Sequence, residues 1–343
     1  MTNFLLAKKK SYSIEFSPLY NLSNKKKLAE LLGSSLSDLI VVIKSDSKSN
    51  YNIFTDRTSK RFITEPVGNL AKIHKKLLSL LIRISPPEYL HSAVKTRSYI
   101  SNAKVHRNGN NVLKVDIKKF FPNVKFNSVY KFFRDTLKCS IDVSTILAKL
   151  CTVETTNFGI HLPTGSCISP ILSFYSNIVL FNSVYQLCLQ RDCSFTLYID
   201  DMIISGDNAS KELLNLVVKE VYKHGYGYHK IKIYRGVPAK ITGLIVSNGI
   251  VSLPYIRSKK IRELDDAVSI ASGKLKSKLL ASLVGRLSEA EQINPEYKNI
   301  RFRTLNKYSS EWAEVVIARR KSQDRSASKR QPKVEHSLAA NDE

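Results

Sequence analysis

Three aspartates are the residues of this 343-residue chain whose types and positions suggest chemistry. Asp200 and Asp201 separate two apolar runs within residues 194–205, which predicts a β-hairpin with both acids at its tip. Adjacent carboxylates among apolar strands repel each other, and a divalent cation would relieve that repulsion. Magnesium prefers oxygen ligands, and two such ions about 3.5–4 Å apart would serve phosphoryl transfer. Asp116 on another predicted strand is the obvious third ligand. The alternative for Asp200 and Asp201 is a plain polar hairpin turn, where Asp is common.

The strand that must position Asp116 is predicted by the alternation of side chains over residues 111–117. Leu113, Val115 and Ile117 fall on one face, which predicts that this face is buried. Asp116 therefore lies on the opposite face of the strand.

The surrounding elements are predicted mainly from apolar periodicity and turn residues. Helical patterns are predicted for residues 126–150, for one apolar stripe from Ile171 to Tyr185, for the stretch after Pro66 and for the region after Pro254. Residues 42–64 predict a polar hairpin with a basic turn that contains Arg57, Lys60 and Arg61.

Composition restricts the class of protein. The chain has 54 Lys and Arg against 29 Asp and Glu, so its formal charge of +25 predicts a polyanionic partner. An apolar fraction of 43% excludes a wholly disordered basic chain. The five cysteines form no CxxC pair, which argues against a structural zinc site and favours a reduced, intracellular protein. No apolar run suits a secretory signal or a membrane span, so we expect a soluble, cytoplasmic protein with no membrane partner.

Three sequence blocks, in this order, resemble signature motifs of reverse transcriptases. They are DIKKFF at residues 116–121, LPTGSCISP at residues 162–170 and YIDD at residues 198–201. A four-residue string alone would be weak evidence for a family, but three blocks in the order and spacing of the family are specific evidence. Two further elements, NAKVH at residues 102–106 and ITG at residues 241–243, resemble the NAxxH and VTG elements of retron reverse transcriptases.

The resemblance implies an α+β fold of the right-hand polymerase type. Residues 1–107 would form the fingers with N-terminal helices, and residues 108–254 a palm with an antiparallel sheet and helices. Residues 255–318 would form a small helical thumb. Residues 319–343, rich in Lys, Arg and Ser without periodicity, would be a disordered basic tail.

The resemblance also implies roles for individual residues. Asp116, Asp200 and Asp201 would hold two Mg²⁺ ions, with the backbone carbonyl of Ile117 as a further ligand, and Phe121 would be the gate that excludes a ribose 2′-hydroxyl. The other implied positions are Lys60 and Arg61 at the triphosphate, Thr164 and Gly165 at the incoming nucleotide, Tyr198 of the YIDD block, Lys232 near the pyrophosphate, and the motif residues Asn102, Ala103, His106, Thr242 and Gly243. Core packing is the alternative for Phe121, and satisfaction of a buried polar group is the alternative for His106.

The implied function is that of a retron RNA-directed DNA polymerase. Such an enzyme copies part of a structured noncoding RNA into branched multicopy single-stranded DNA (msDNA), starting from a guanosine 2′-hydroxyl. The expected partners are the cognate RNA, the msDNA product, dNTPs and a separate effector protein that acts in defence against phage. The alternatives are a group II intron-like or other bacterial reverse transcriptase, and a noncatalytic RNA/DNA-binding scaffold.

Overall fold

The computed structural model describes residues 11–328, with side chains to residue 321. Contacts divide the chain into two compact units that meet between Ile250 and Val251. Each unit has a hydrophobic core of its own.

The first unit combines helices with small antiparallel sheets. Its helices are α1 (Lys25–Leu32), α2 (Leu36–Lys44), α3 (Ser47–Asn50), α4 (Gly68–Leu81), α5 (Tyr99–Val105), α6 (Phe120–Asn123), α7 (Phe126–Lys131), α8 (Ile141–Cys151), α9 (Ser169–Tyr175), α10 (Ile178–Leu189) and α11 (Lys211–Lys223). The strands are β1 (Tyr51–Thr55), β2 (Phe62–Pro66), β3 (Asn111–Ile117), β4 (Val153–Thr155), β5 (Gly159–His161), β6 (Ser194–Tyr198), β7 (Asp201–Ser205), β8 (Tyr228–Arg235), β9 (Ala239–Ile241), β10 (Leu244–Ser247) and β11 (Ile250–Ser252).

A four-stranded sheet in the order β6-β7-β3-β8 forms the centre of this unit. The predicted strand 111–117 is confirmed, and Leu113, Val115 and Ile117 pack in the main hydrophobic core. The opposite face carries Lys114 and Asp116, and we call it the open face of the sheet. The predicted hairpin over residues 194–205 is also confirmed, as β6 and β7.

The predicted polar hairpin is confirmed as β1 and β2, which pair from Tyr51 with Pro66 to Thr55 with Phe62. Its turn carries the predicted basic residues on the surface. Helix α4 follows directly, and its apolar stripe buries Leu70, Ile73 and Leu77 against the core. The hairpin is thus anchored to the unit by the helix that follows it.

The helix predicted from Ile171 to Tyr185 is wrong as a single element. The chain breaks between α9 and α10, at Ser176 and Asn177. Two hydrogen bonds of the Asn177 side chain stabilise this break. Its amide nitrogen donates to the carbonyl of Ser173, and its amide oxygen accepts from the Tyr226 hydroxyl at 2.7 Å. Asn177 leaves the helical conformation, with φ −128° and ψ 21°, so the stripe does not continue across it, and Val179, expected on the buried stripe, is 66% exposed.

The helix predicted over residues 126–150 is also interrupted. A π-helical turn, Phe132–Thr136, follows α7, and α8 begins only at Ile141. Lys138 has a positive φ of 57°, a backbone conformation that stops a right-handed helix. Ser140 then caps the N-terminus of α8.

After Pro254 the described part of the second unit is helical, as predicted. Its helices are α12 (Tyr255–Ile270), α13 (Gly273–Ala290), α14 (Glu296–Lys307) and α15 (Ser309–Ser328). They surround a core that includes Leu264, Leu280, Leu283 and Leu287. Within residues 11–328, no helix is both long and apolar enough to cross a membrane.

The structure corrects the start of the predicted disordered tail. Helix α15 runs to Ser328, although residues after about Arg319 were predicted to lack regular structure. Residues 319–328 contain neither Gly nor Pro, and Ala, Arg, Lys and Gln favour helix even without an apolar stripe. The rest of the predicted tail, residues 329–343, lies outside the described residues, as do residues 1–10 of the predicted fingers.

Candidate active site

The three aspartates converge at one end of the open face. Asp116 in β3 pairs directly with Asp201 in β7, so the two side chains project from the same face. The N–H of Ile117 donates to the carbonyl of Asp200 at 3.0 Å, which ties the hairpin tip to the end of β3. The sheet thereby brings together acids that lie 84 and 85 positions apart in the chain.

The hairpin tip is conformationally strained. Ile199, between Tyr198 and Asp200, has a φ of 61°, and the left-handed region costs a β-branched residue about 1–2 kcal/mol. The N–H of Ile199 donates to the Ser92 hydroxyl at 2.9 Å, which helps to hold the turn in this conformation. Ser92 was not identified from the sequence, since nothing local marks it as the partner of a turn 107 positions away.

The electrostatics of the acids favour a cation. Burial, followed by the negative charge of Asp116, raises the pKa of Asp200 to about 6. Burial also raises the pKa of Asp201, although the charge and hydrogen bond of Lys114 oppose this change. Lys114 forms an ion pair with one oxygen of Asp201, and the other oxygen, Oδ1, is buried without a hydrogen-bond partner. Lys114 is a second site residue that was not predicted from the sequence. It lies two positions before Asp116, and both side chains are therefore on the same face of the strand.

These acids fit the divalent ion that the resemblance implies. A cation would satisfy the orphaned Oδ1 of Asp201 and offset the repulsion that raises the pKa of Asp200. Among residues 11–321, no group of three His, Cys, Asp or Glu side chains is arranged so that it could hold a metal ion without rearrangement. An ion that used Asp201 would compete with Lys114 for that carboxylate.

Thr164 and Gly165 lie against the strand β2. The Thr164 hydroxyl donates to the carbonyl of Phe62 at 2.8 Å, and the Thr164 N–H donates to the Thr64 hydroxyl at 2.9 Å. The N–H of Gly165 donates to the carbonyl of Thr64 at 3.1 Å. A Cβ on Gly165 would lie 3.1 Å from the Glu65 Cα, closer than ordinary van der Waals contact, so this close backbone approach favours glycine. The polar groups of this loop thus attach it to the β1–β2 hairpin.

The remaining predicted substrate residues lie on several elements. Phe121 is the second residue of α6 and is half-buried, while its neighbour Phe120 is core. Arg61 is exposed in the turn of the β1–β2 hairpin, and its positive charge opposes the rise in the pKa of Asp200. Lys60 is exposed in the same turn, Tyr198 pairs with Asp201, and Lys232 pairs with Lys114 across β8 and β3.

The NAxxH-like element is buried in helix α5 and the turn after it. Asn102, Ala103 and His106 are inaccessible to solvent. His106 is hydrogen-bonded through Nδ1 to the Ser205 hydroxyl and through Nε2 to the Thr196 hydroxyl, both at 2.7 Å. Burial, with a smaller effect of His91, lowers its pKa to about 3, so the imidazole is neutral. His106 therefore connects the two strands of the hairpin that carries Asp200 and Asp201.

The ITG element contacts the same helix. The Thr242 hydroxyl donates to the carbonyl of Tyr99 at 2.9 Å, and the Asn102 amide donates to that hydroxyl at 3.5 Å. Thr242 and Gly243 form the turn between β9 and β10 with φ values of 42° and 85°. The two elements that narrowed the resemblance are thus direct neighbours in space.

Comparisons with known proteins agree with this geometry. The family model described as "Reverse transcriptase (RNA-dependent DNA polymerase)" matches residues 48–238. Retron Se72 reverse transcriptase of Salmonella heidelberg is 31% identical over 255 residues, which cover 69% of this chain and 65% of that protein. Retron Mx162 reverse transcriptase of Myxococcus xanthus is 28% identical over 287 residues, which cover 73% and 59%.

Among solved structures, the foamy viral protease-reverse transcriptase in complex with double-stranded DNA has a TM-score of 0.48 and 16% identity, covering 85% of this chain and 45% of that one. The chain spans less than two thirds of the length of the two retron relatives named. The family model nevertheless covers more than half of the chain and includes all three aspartates. The chain belongs to the reverse transcriptase family, as a retron-type bacterial member with the α+β right-hand polymerase fold.

Proposed function

We propose that this chain is an RNA-directed DNA polymerase. The observation that carries the proposal is the convergence of Asp116, Asp200 and Asp201 at one end of the palm sheet, in a chain of the reverse transcriptase family. Three carboxylates that converge at one end of a sheet repel one another, and a bound cation would relieve that repulsion. A noncatalytic scaffold would not need them.

The mechanism assigns separate tasks to the residues around the acids. Asp116 and Asp200, with Asp201 and the Ile117 carbonyl, would hold two Mg²⁺ ions, which supply positive charge for nucleotidyl transfer when bound. Arg61 and Lys60 bind the triphosphate, because both are exposed cations of one turn and the charge of Arg61 already acts on Asp200. Phe121, in the helix α6 that follows the Asp116 strand, blocks a ribose 2′-hydroxyl. Gly165 and Thr164 fix the fingers hairpin against the palm, and Lys232 at the pyrophosphate remains a sequence prediction.

The template we propose is a structured noncoding RNA, and the product is branched msDNA. Support comes from the names of both relatives above, which are retron reverse transcriptases, and from the contact between the NAxxH-like and ITG elements. Activity in the cytoplasm, in antiphage defence with an effector protein, follows as part of the same proposal. A group II intron-like enzyme is the alternative within the family.

The test replaces the hairpin acids. Asp200→Asn with Asp201→Asn should lower Mg²⁺-dependent dNTP incorporation on an RNA template by about three orders of magnitude, equivalent to ~4 kcal/mol of transition-state stabilisation. RNA binding should persist, because the fold and basic surface are unchanged. Asp142→Asn on the exposed part of α8 is the matched control and should incorporate dNTPs normally. Retained polymerisation by the double variant would contradict the assignment.

Nucleic acid purified with the protein from its host distinguishes the alternatives. A branched RNA–DNA molecule supports the retron function, and unbranched intron RNA favours the group II intron-like enzyme. RNA binding by the wild-type protein without any dNTP incorporation would instead identify a scaffold.

A further inference from the structure

Thr64 in β2 and Thr164 in the loop after β5 form a reciprocal hydrogen-bonded pair. The N–H of Thr164 donates to the Thr64 hydroxyl at 2.9 Å, and the N–H of Thr64 donates to the Thr164 hydroxyl at 3.1 Å. Thr64 is inaccessible to solvent, and the two residues lie 100 positions apart in the chain. The pair therefore connects the β1–β2 hairpin to the loop over residues 162–170 through backbone and side chains together.

The Thr164 hydroxyl has no hydrogen-bonding capacity left for a nucleotide. A hydroxyl offers one donor and two acceptor positions. Its proton goes to the carbonyl of Phe62 at 2.8 Å, because a carbonyl can only accept. One lone pair accepts from the N–H of Thr64, and the Thr64 hydroxyl, 3.4 Å away, donates to the other. The resemblance puts Thr164 at the incoming nucleotide, but β2 already uses all of its hydroxyl.

The next two residues of the loop are also held by neighbouring elements. The N–H of Gly165 donates to the carbonyl of Thr64. The Ser166 hydroxyl donates at 2.6 Å to Nδ1 of His74 in α4, since Nε2 carries the proton that the Leu150 carbonyl accepts. Gly165 is the exposed residue of the three, so its backbone is the part of this segment that a ligand can reach.

These contacts lie next to the cationic turn of the hairpin. Phe62, whose carbonyl accepts from Thr164, directly follows Arg61 in the chain. The N–H of Asp56 donates to the carbonyl of Arg61 at 2.8 Å and closes the turn. A hydrogen bond to Phe62 therefore limits how far the backbone of Arg61 can move away from the loop at Gly165.

We propose that Thr64 is a positioning residue for the incoming dNTP. Through Thr164 it fixes the separation between the Arg61 turn and the loop at Gly165, so that one nucleotide can contact both. Thr164 acts on the dNTP through Thr64 and not by a contact of its own side chain. This inference rests on the proposed polymerase function and names the residues that shape its nucleotide site.

A double-mutant cycle of Thr64→Val, Thr164→Val and the variant with both changes tests this coupling. Valine keeps the branched shape of threonine without the hydroxyl, and Thr64→Ser keeps the hydroxyl without the methyl group. Thr145→Val in α8 is the matched control, because it removes a hydroxyl that donates to the Ile141 carbonyl of its own helix at 2.8 Å. Steady-state incorporation on a DNA primer annealed to an RNA template gives kcat and KM for dNTP. Fluorescence anisotropy gives Kd for the primer–template.

Each single valine variant should raise KM for dNTP about tenfold, with a smaller change in kcat and an unchanged Kd for the primer–template. The variant with both changes should also lie near tenfold and not near about a hundredfold, because both substitutions break the same contact. Thr64→Ser and Thr145→Val should keep the wild-type KM.

A rise in KM for Thr164→Val but not for Thr64→Val would show a direct contact between Thr164 and the nucleotide, and would overturn the inference. Additive effects in the cycle, or a loss in Thr64→Ser as large as in Thr64→Val, would also overturn it. Equal losses in primer–template binding and in KM for dNTP would report general destabilisation and exclude a positioning role. If the wild type incorporates no dNTP, the proposed function itself fails. If the wild type incorporates dNTP and the valine variants match its KM, only this inference fails.

Discussion

Replacing His106 by leucine should destabilise the hairpin that carries Asp200 and Asp201. The imidazole connects Thr196 on β6 with Ser205 on β7 through two hydrogen bonds of 2.7 Å, in a site without solvent access. Leucine fills a similar volume but cannot donate or accept. Both hydroxyls would then be left buried without this partner.

The expected cost follows from those two groups. A buried polar group that loses its partner costs about 1–3 kcal/mol, so His106→Leu should lower the free energy of unfolding by roughly 2–5 kcal/mol. The triple variant with Thr196→Val and Ser205→Ala removes the orphaned hydroxyls, and it should recover at least about half of that loss because replacing both partners of a hydrogen bond costs little. Displacement of the hairpin should also lower dNTP incorporation, since a shift of about 1 Å at a catalytic group can cost 10²-fold.

Urea unfolding at two pH values checks the same hydrogen bonds independently. Burial lowers the pKa of His106 to about 3, whereas an unfolded histidine has a pKa near 6.5. Below pH 6.5 the unfolded state takes up a proton that the native state does not, so the wild type loses stability as the pH falls. The leucine variant lacks this proton, so the stability difference between wild type and variant should shrink by about 2 kcal/mol from pH 7 to pH 5. A triple variant no more stable than the single one, or a difference independent of pH, would refute the reasoning.

Three other substitutions test separate parts of the site. Phe121→Ala should admit ribonucleotides and raise rNTP use relative to dNTP by about tenfold or more in competition assays, and unchanged selectivity would remove the gate role. Gly165→Ala forces a Cβ to 3.1 Å from the Glu65 Cα and should cost about 1–3 kcal/mol in thermal unfolding, so wild-type stability would contradict the close approach. His74, buried in α4, is hydrogen-bonded to the Ser166 hydroxyl at 2.6 Å and to the Leu150 carbonyl at 2.7 Å, so His74→Phe should cost about 2–4 kcal/mol in thermal unfolding, and a neutral result would show that these bonds are dispensable.

Local patterns predicted the parts of the fold that depend on neighbouring residues. The strand over residues 111–117 and the hairpin over residues 194–205 agree with the structure, because alternation with a period of two fixes both the element and its faces. Apolar periodicity did not predict where a helix ends when one side chain interrupts it. Asn177 breaks a continuous apolar stripe because Tyr226, distant in sequence, holds its amide.

By itself, the sequence determined the acids, their order and the strand faces that carry them, since these follow from residue type and a two-residue repeat. Only the tertiary structure decided that Lys114 pairs with Asp201, that His106 connects Thr196 to Ser205, and that Thr64 pairs with Thr164. The partners of His106 lie 90 and 99 positions away. Contacts over such separations are set by how the sheets and helices pack, and no local periodicity records them.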